Sequence, residues 1–366
     1  MVPGGSRGHL FEVRIAVVST PFVRVPPRAY GGTELVVHAL VFALQALGHD
    51  VTLFATGDSR APTVRALFPR PVWPPDPYAD LLHSRAAARA IARGGFEIVH
   101  AHTPPLLAFA DELGCPMIYT VHHAADPALE RYYAETPPVV LVAISARQAA
   151  LAHWPSGAVI HHGLDPGMYP RCGPGGDRAL FIGRLSWVKG PDIAVEAARD
   201  AGLPVTVVGE SHPDEAPPGW AEDVLDPALR APGVTWIRRA GLAAKRRLFA
   251  SSRALVSSVR WEEPFGLVLI EALLAGCPVV AAPRGAAPEI VEDGADGFLA
   301  EGAAETADAL RAAARLERAG IQERARRRFS AARMAAEYVV LYRRAAGASL
   351  ALTPGKGDGW TTTSSR

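Results

Sequence analysis

Cysteine is scarce in this chain. Its 366 residues hold three, Cys115, Cys172 and Cys277, odd in number and far apart, which argues against a disulfide framework and fits a reducing cytosol. A charge imbalance is also missing. With 38 basic and 37 acidic side chains the formal net charge is +1, so nothing marks nucleic acid as a partner. No apolar run reaches the roughly 18–20 residues that a bilayer-spanning helix needs. The opening "MVPGGSRGHLFEVRIAVVST" lacks the charged-then-apolar layout of a secretory signal and reads as the approach to a first strand. A soluble cytoplasmic chain is the expectation. Lysine is nearly absent too: Lys189, Lys245 and Lys356 are the three in the chain, and each stands out against an arginine background. No repeat of fixed period is present.

The residues that are present pattern as alternating strands and helices. Apolar residues make up 49% and charged ones 20%, as in globular proteins, and the length suits two domains with separate cores. In the first half, "RIAVVST", "DVTLFAT", "FEIVHAH", "PMIYTVHH", "VVLVAIS" and "AVIHHGLD" read as strands, with helical segments between most of them. The segment "TELVVHALVFALQALGHD" predicts a helix capped by Thr33 and closed by Gly48. A polar Gly/Pro-rich stretch at 166–177 reads as a linker, after which the alternation restarts with "RALFIGRL". Strands spaced by helices imply parallel sheets with right-handed crossovers, and two such units leave a cleft where strand carboxyl ends meet a ligand. The expected divisions are a first domain at 11–168, a second at 177–325, a C-terminal helix at 326–346 packing back on the first domain, and a disordered polar tail at 347–366.

The chemistry concentrates in two places. In "EEPFGLVLIEALLAG" (262–276) Glu271 sits inside an apolar helical run, and burying a carboxylate without a partner costs several kcal/mol. Gly266 opens that helix, where free backbone N–H groups suit a pyrophosphate. Glu263 lies roughly 12 Å away along a continuous helix, by the rise per residue. A ribose diol is a natural partner for Glu271, and an ordinary Glu–Arg ion pair is the alternative. In "FIGRLSWVKGPDIAVEAA" (181–198), Arg184 and Lys189 flank a helix that opens at Gly190, an arrangement that neutralises a diphosphate.

Together these stretches resemble retaining glycosyltransferases of family 4. "GRLSWVKG", followed about seventy residues on by "EEPFGLVLIEALLAGCPVVAAPRGAAPEIVEDGADGFLA", is similar to their C-terminal donor half, with Glu263 and Glu271 on the Glu-x7-Glu motif. "PPRAYGGTELVVHAL", "TVHH" and "VIHHGLD" resemble N-terminal motifs, so the similarity runs over about residues 13–345. It implies a GT-B fold: α/β, two Rossmann-like doubly wound parallel-sheet domains facing a central cleft. It also implies that Arg184 and Lys189 hold the donor diphosphate and that Glu271 binds ribose hydroxyls. Glu263, with Phe265, Gly266 and Leu267, would hold the donor and its sugar. Gly31 and Gly32 would let a loop approach the phosphates, and His122 would touch the sugar, with His123 second. One departure stands out: the inner Asn-Gly-Ile/Val-Asp pattern reads His162-Gly163-Leu164-Asp165, near the interdomain hinge.

The implied activity is retaining transfer of a hexose to the hydroxyl of an unknown acceptor, with UDP-glucose the favoured donor and GDP- or ADP-hexose open. No cofactor and no metal is expected, since no Asp-x-Asp pair marks the cleft loops. "HAH" (100–102) and the two "HH" pairs lack a cysteine or carboxylate to complete a zinc set. A same-fold epimerase, a phosphorylase and a non-catalytic nucleotide-sugar-binding protein are the competing readings. The acceptor would depend on the loops at 57–80 and 124–137. Arg85, Arg89 and Arg93 recur every four residues, as a solvated face does, or as a weak peripheral contact for an anionic acceptor or membrane would. "RARRR" at 324–328 reads as another solvated face, and Ser145 as a helix cap.

Overall fold

A computed structural model describes residues 12–28, 31–169, 172–212 and 216–349. Two parallel sheets dominate it. The first has seven strands: β1 (Arg14–Val18), β2 (Asp50–Phe54), β3 (Val64–Arg65), β4 (Ile98–Ala101), β5 (Met117–Thr120), β6 (Val140–Ala143) and β7 (Ala158–Val159), in the order β3-β2-β1-β4-β5-β6-β7. The second has six: β8 (Ala179–Ile182), β9 (Val205–Val208), β10 (Val234–Ile237), β11 (Ala254–Ser257), β12 (Val279–Ala281) and β13 (Gly297–Leu299), in the order β10-β9-β8-β11-β12-β13. The inner strands are short β-branched runs buried along almost their whole length, as a sheet covered on both faces requires. β3 and β13, two and three residues long, carry too little pattern to be read from sequence.

Twelve α-helices cover these sheets among the described residues: α1 (Gly32–Ala46), α2 (Pro77–Ala92), α3 (Pro127–Glu135), α4 (Ala146–Leu151), α5 (Pro191–Asp200), α6 (Asp226–Arg230), α7 (Leu242–Ser251), α8 (Leu267–Leu274), α9 (Ala287–Ile290), α10 (Gly302–Ala312), α11 (Arg318–Arg328) and α12 (Ala331–Ser349). In α1, Val36, Val37, Leu40, Val41 and Leu44 recur at helical spacing and are buried. Gly48, at φ +89°, closes it as expected, but the N-cap is Gly31 and not Thr33. The expected helix "LLAFADELG" is a 3₁₀ segment, Pro104–Glu112.

Strand order reverses at β1/β4 and at β8/β11, the switch points where open parallel sheets bind ligands beyond their carboxyl ends. The loops from these ends carry Gly31, His102, Arg184 and Glu263. At the C-terminus the expected boundaries shift. Residues 326–328 finish α11, which packs on α8, and α12 then runs against α1 of the first domain. α12 continues to Ser349, past the expected start of the tail at 347; residues 350–366, with Lys356, lie outside the described residues, as do 170–171 within the expected linker. A single apolar cluster joins α1, α8, α11 and α12, so the core passes from one sheet to the other.

Candidate active site

Helix α8 begins after Gly266, which at φ +86° adopts a backbone that other residues rarely take. Gly285 holds the preceding loop from behind. A Cβ there would meet backbone atoms of Glu263 at 2.2–2.8 Å, so only glycine allows the approach. Across the cleft, Gly32 faces Leu267, whose Cδ1 would lie 3.0 Å from an added Cβ. Gly32 therefore approaches α8, whereas Gly31, at φ +153°, packs on Pro27 and the Glu34 carboxylate.

Glu263 and Lys189 meet directly. The lysine Nζ pairs with Glu263 Oε2, Trp261 Nε1 donates to the same oxygen at 2.8 Å, and the ammonium lies 5.0 Å from the Trp261 ring centroid. Gly190, at φ +66°, follows Lys189 and caps α5, as the loop pattern predicts. Arg184, between β8 and this turn, makes no hydrogen bond among the described residues, and its Nε is buried. A buried N–H without a partner is unusual in a folded chain, and here it suits an anion.

Glu271 is 4% exposed, and its partner is not the arginine of the alternative reading. Lys245 Nζ lies 2.5 Å from Oε1 and the Tyr169 hydroxyl donates to the same oxygen at 2.9 Å. Oε2 takes no hydrogen bond among the described residues, which leaves one carboxylate oxygen for a ligand hydroxyl. Burial first, and then the Glu271 charge, raise the Tyr169 pKa, so the phenol stays a donor. Two of the three lysines thus oppose the two glutamates of the 263/271 pair. The scarcity of lysine was the sequence signal for Lys245; Tyr169 and Trp261 had none.

Histidines line the floor of the cleft. His122, half-buried and two residues past β5, accepts or donates one hydrogen bond with His102 Nδ1 at 2.8 Å. It stacks on His162 at 5.1 Å between centroids, and His162 meets Phe265 edge-on at 4.9 Å. The departure at His162 therefore puts an aromatic ring between the two halves. Behind them His100 bonds Tyr342 and Thr120, both at 2.7 Å. Burial holds His100 and His122 down at about 3, so these rings are neutral near pH 7. His123 turns elsewhere, to the Tyr133 hydroxyl and the Ala124 carbonyl. No group of three or more His, Cys, Asp or Glu among the described residues is arranged to hold a metal ion.

Ser145 and the arginines of 324–328 make structural contacts. Ser145 accepts from Gln148 N at 3.0 Å as a cap, and its hydroxyl also donates to the Pro264 carbonyl at 2.7 Å across the cleft. Within "RARRR", Arg324 and Arg328 bind buried Asp296 at 2.7 and 2.9 Å, so that face is not simply solvated.

Comparisons with known proteins identify the family. Residues 174–333 match the family "Glycosyl transferases group 1" and residues 30–167 match "Glycosyltransferase Family 4". Spore coat protein SA of Bacillus subtilis is 26% identical over 335 residues, covering 78% of this chain and 85% of that protein. The crystal structure of AviGT4, a glycosyltransferase involved in avilamycin A biosynthesis, superposes with a TM-score of 0.71 at 27% identity, over 92% of this chain and 98% of that one. HepE of Anabaena, solved in complex with UDP-glucose, shares the fold at 18% identity with a TM-score of 0.67, over 91% of this chain and 100% of that one. The fold, the two family matches and the cleft residues make this chain a glycosyltransferase of family 4, group 1, with the GT-B fold.

Proposed function

We propose that the enzyme transfers a hexose, with glucose from UDP-glucose favoured, to an acceptor hydroxyl with retention of configuration and without a metal or cofactor. The observation that carries this reading is the mouth of α8. There the Lys189–Glu263 pair lies just before the helix and Glu271, a turn further in, keeps one uncommitted oxygen, while Arg184 on the loop after β8 has no partner among the described residues. Arg184 and Lys189 would take the donor diphosphate, and Glu271 Oε2 would accept the ribose hydroxyls. Glu263 with the backbone at Phe265, Gly266 and Leu267 would receive the sugar, and Gly31 and Gly32 give the loop room above it.

In the transfer, the bond from the anomeric carbon to the diphosphate oxygen breaks and a bond to the acceptor oxygen forms on the same face. The acceptor proton passes to the departing phosphate oxygen. The side chains supply positioning and charge, so no protein base is assigned. Neutral His122 would serve as a hydrogen-bonding contact to the sugar and not as an acid. The base is read as uracil because HepE is recorded with UDP-glucose. The cytoplasm, where nucleotide sugars are at hand, is the proposed setting.

Thermal unfolding with UDP, GDP and ADP tests the donor. At about a hundred times its dissociation constant one nucleotide should add about 2.7 kcal/mol to the wild type and not to Glu271→Ala. Stabilisation by none of the three overturns the donor site. Hydrolysis or transfer from UDP-glucose should also be lost in Lys189→Ala; turnover that survives would remove Lys189 from the reaction.

A further inference from the structure

Helix α2 buries one face, with Ala79, His83, Ala87 and Ile91 against the first sheet, and turns the other to solvent. The solvent face is Tyr78, Leu81, Leu82, Arg85, Arg89 and, just past the helix end, Arg93, all at three- and four-residue steps. Tyr78 is 75% exposed and Leu82 52%, and Trp73, shortly before the helix, is 73% exposed. The exposed face of α2 has no carboxylate. Asp80 is buried on the Thr103 hydroxyl, and Asp76 is taken up in capping the helix through Tyr78 N at 3.0 Å. Among the described residues no ion pair engages Arg85, Arg89 or Arg93. On the flank of the helix, between its buried and solvent faces, Arg65 and Leu67 line a shallow groove of about 130 Å³ against His83 and Ala90.

A merely solvated face would not collect exposed tryptophan, tyrosine and leucines at one end. Scattered apolar residues are ordinary on a surface, but here Tyr78, Leu81 and Leu82 adjoin one another on the helix and are followed by a run of guanidinium groups. Apolar and aromatic side chains flanked by arginine, on one face of a helix, are the composition that lies in a headgroup layer, and unpaired guanidinium groups complement its phosphates. The topology adds direction. α2 runs back from the carboxyl end of the first sheet, and His83 Nε2 bonds the Ser19 carbonyl just past β1 at 3.1 Å. The apolar end of α2 thus lies toward the cleft mouth, and the arginines lead away from it.

We infer that the exposed face of α2, with Trp73, docks the first domain on an anionic lipid surface. No helix among the described residues is long and apolar enough to cross a membrane, so this would be contact in the interface plane.

The test is co-sedimentation of the full chain with vesicles of phosphatidylcholine alone and with vesicles containing about a third phosphatidylglycerol. The chain should sediment with the anionic vesicles and not with the neutral ones, and raising salt from about 50 to about 500 mM should release it. Arg85→Glu with Arg89→Glu should lower the bound fraction at least about tenfold, and Trp73→Ser with Leu82→Gln should lower it as well. Both pairs are exposed, so their melting temperatures should stay at the wild-type value. The salt arm needs no variant. Absence of sedimentation with anionic vesicles overturns the inference, as does sedimentation that neither pair nor salt changes. Binding to heparin beads without binding to vesicles overturns it in favour of a soluble polyanion.

Discussion

Glu271 poses the sharpest residue-scale problem, a carboxylate at 4% exposure inside an apolar helix. Lys245, with a side chain 16% exposed, answers it, and the pair is worth something only while both members are present. Removing one member of a buried pair leaves an uncompensated charge, whereas removing both in favour of apolar groups is often neutral. Lys245→Met should therefore cost about 3 kcal/mol in urea unfolding, and Lys245→Met with Glu271→Leu should recover most of it. A double variant as unstable as the single one would show that packing, and not charge, is what Lys245 supplies. The same substitution should weaken nucleotide binding, since Oε1 would turn away from its fixed place and Oε2 with it. In the sequence the glutamate was conspicuous because its neighbours along the chain are apolar. Its partners were not, because they lie 26 and 102 residues away and only the fold joins them.

At the scale of elements, what could be read in advance was what local pattern determines. The alternation of buried strands with amphipathic helices, the turns at Gly190 and Gly266 and the close of α1 at Gly48 all follow from a few adjacent residues. Less legible were β3, β13 and α3, the first two too short for a pattern and the last inside a loop read as irregular. The histidine cluster could not be read as a cluster for a different reason. "HAH" and the two "HH" pairs showed only that no zinc set is complete, and it is parallel pairing that brings His100 and His102, at the end of β4, together with His122 beyond β5 and His162 beyond β7. α12 closes it through Tyr338 and Tyr342, four residues apart on one helical face. This cluster makes stability depend on acid. His100 and His122 protonate near pH 3 when folded and His102 and His162 well below their usual range, whereas in the unfolded chain all four protonate near 6.5. Below about pH 6.5 the unfolded chain takes up protons that the folded chain refuses, so this stability is present at neutral pH and lost on acidification. Asp80, raised by burial to about 6, and Glu34, also raised by burial, act in the opposite sense, gaining stability as the pH falls toward their unfolded values. Two carboxyl groups do not offset four imidazoles, and His38, His49 and His83, each lowered chiefly by burial, add to the imidazole side. Urea unfolding should show stability falling from pH 7 to pH 5, and His100→Gln should reduce the slope by about 1 kcal/mol per pH unit. Stability that is flat or rising over that range would mean the rings are already charged in the folded chain.

For the whole molecule, the question is what holds two sheets in one closed arrangement. The shared apolar cluster and α12 form one side of the answer, because neither can be exposed without losing buried area. The other side is polar and lies at the cleft, where the start of α4 meets the second domain. Glu289, on α9, accepts from the amides of Ala146 and Arg147 at 2.8 and 2.7 Å and from His161 Nε2 at 2.9 Å. Ser145 meets the Pro264 carbonyl beside them, and Arg147 Nε reaches Glu262 at 2.9 Å. These contacts differ in what they can hold. Arg147 and Glu262 are 46% and 39% exposed, and a pair so open to water contributes little. Glu289 instead satisfies first-turn N–H groups that have no partner within their own helix, and a carboxylate there also complements the helix dipole. Glu289→Ala should therefore release α4 from the second domain, and Glu262→Ala should not. The expected signs are faster hydrogen exchange in the peptide spanning 145–151 and a larger radius of gyration by small-angle scattering. Both changes should belong to the Glu289 variant alone. Equal behaviour of the two variants would place the closure in the apolar cluster and leave the α4 contact as a consequence of it. A selective effect would instead make Glu289 the polar latch of the cleft, just behind the loop that presents Glu263.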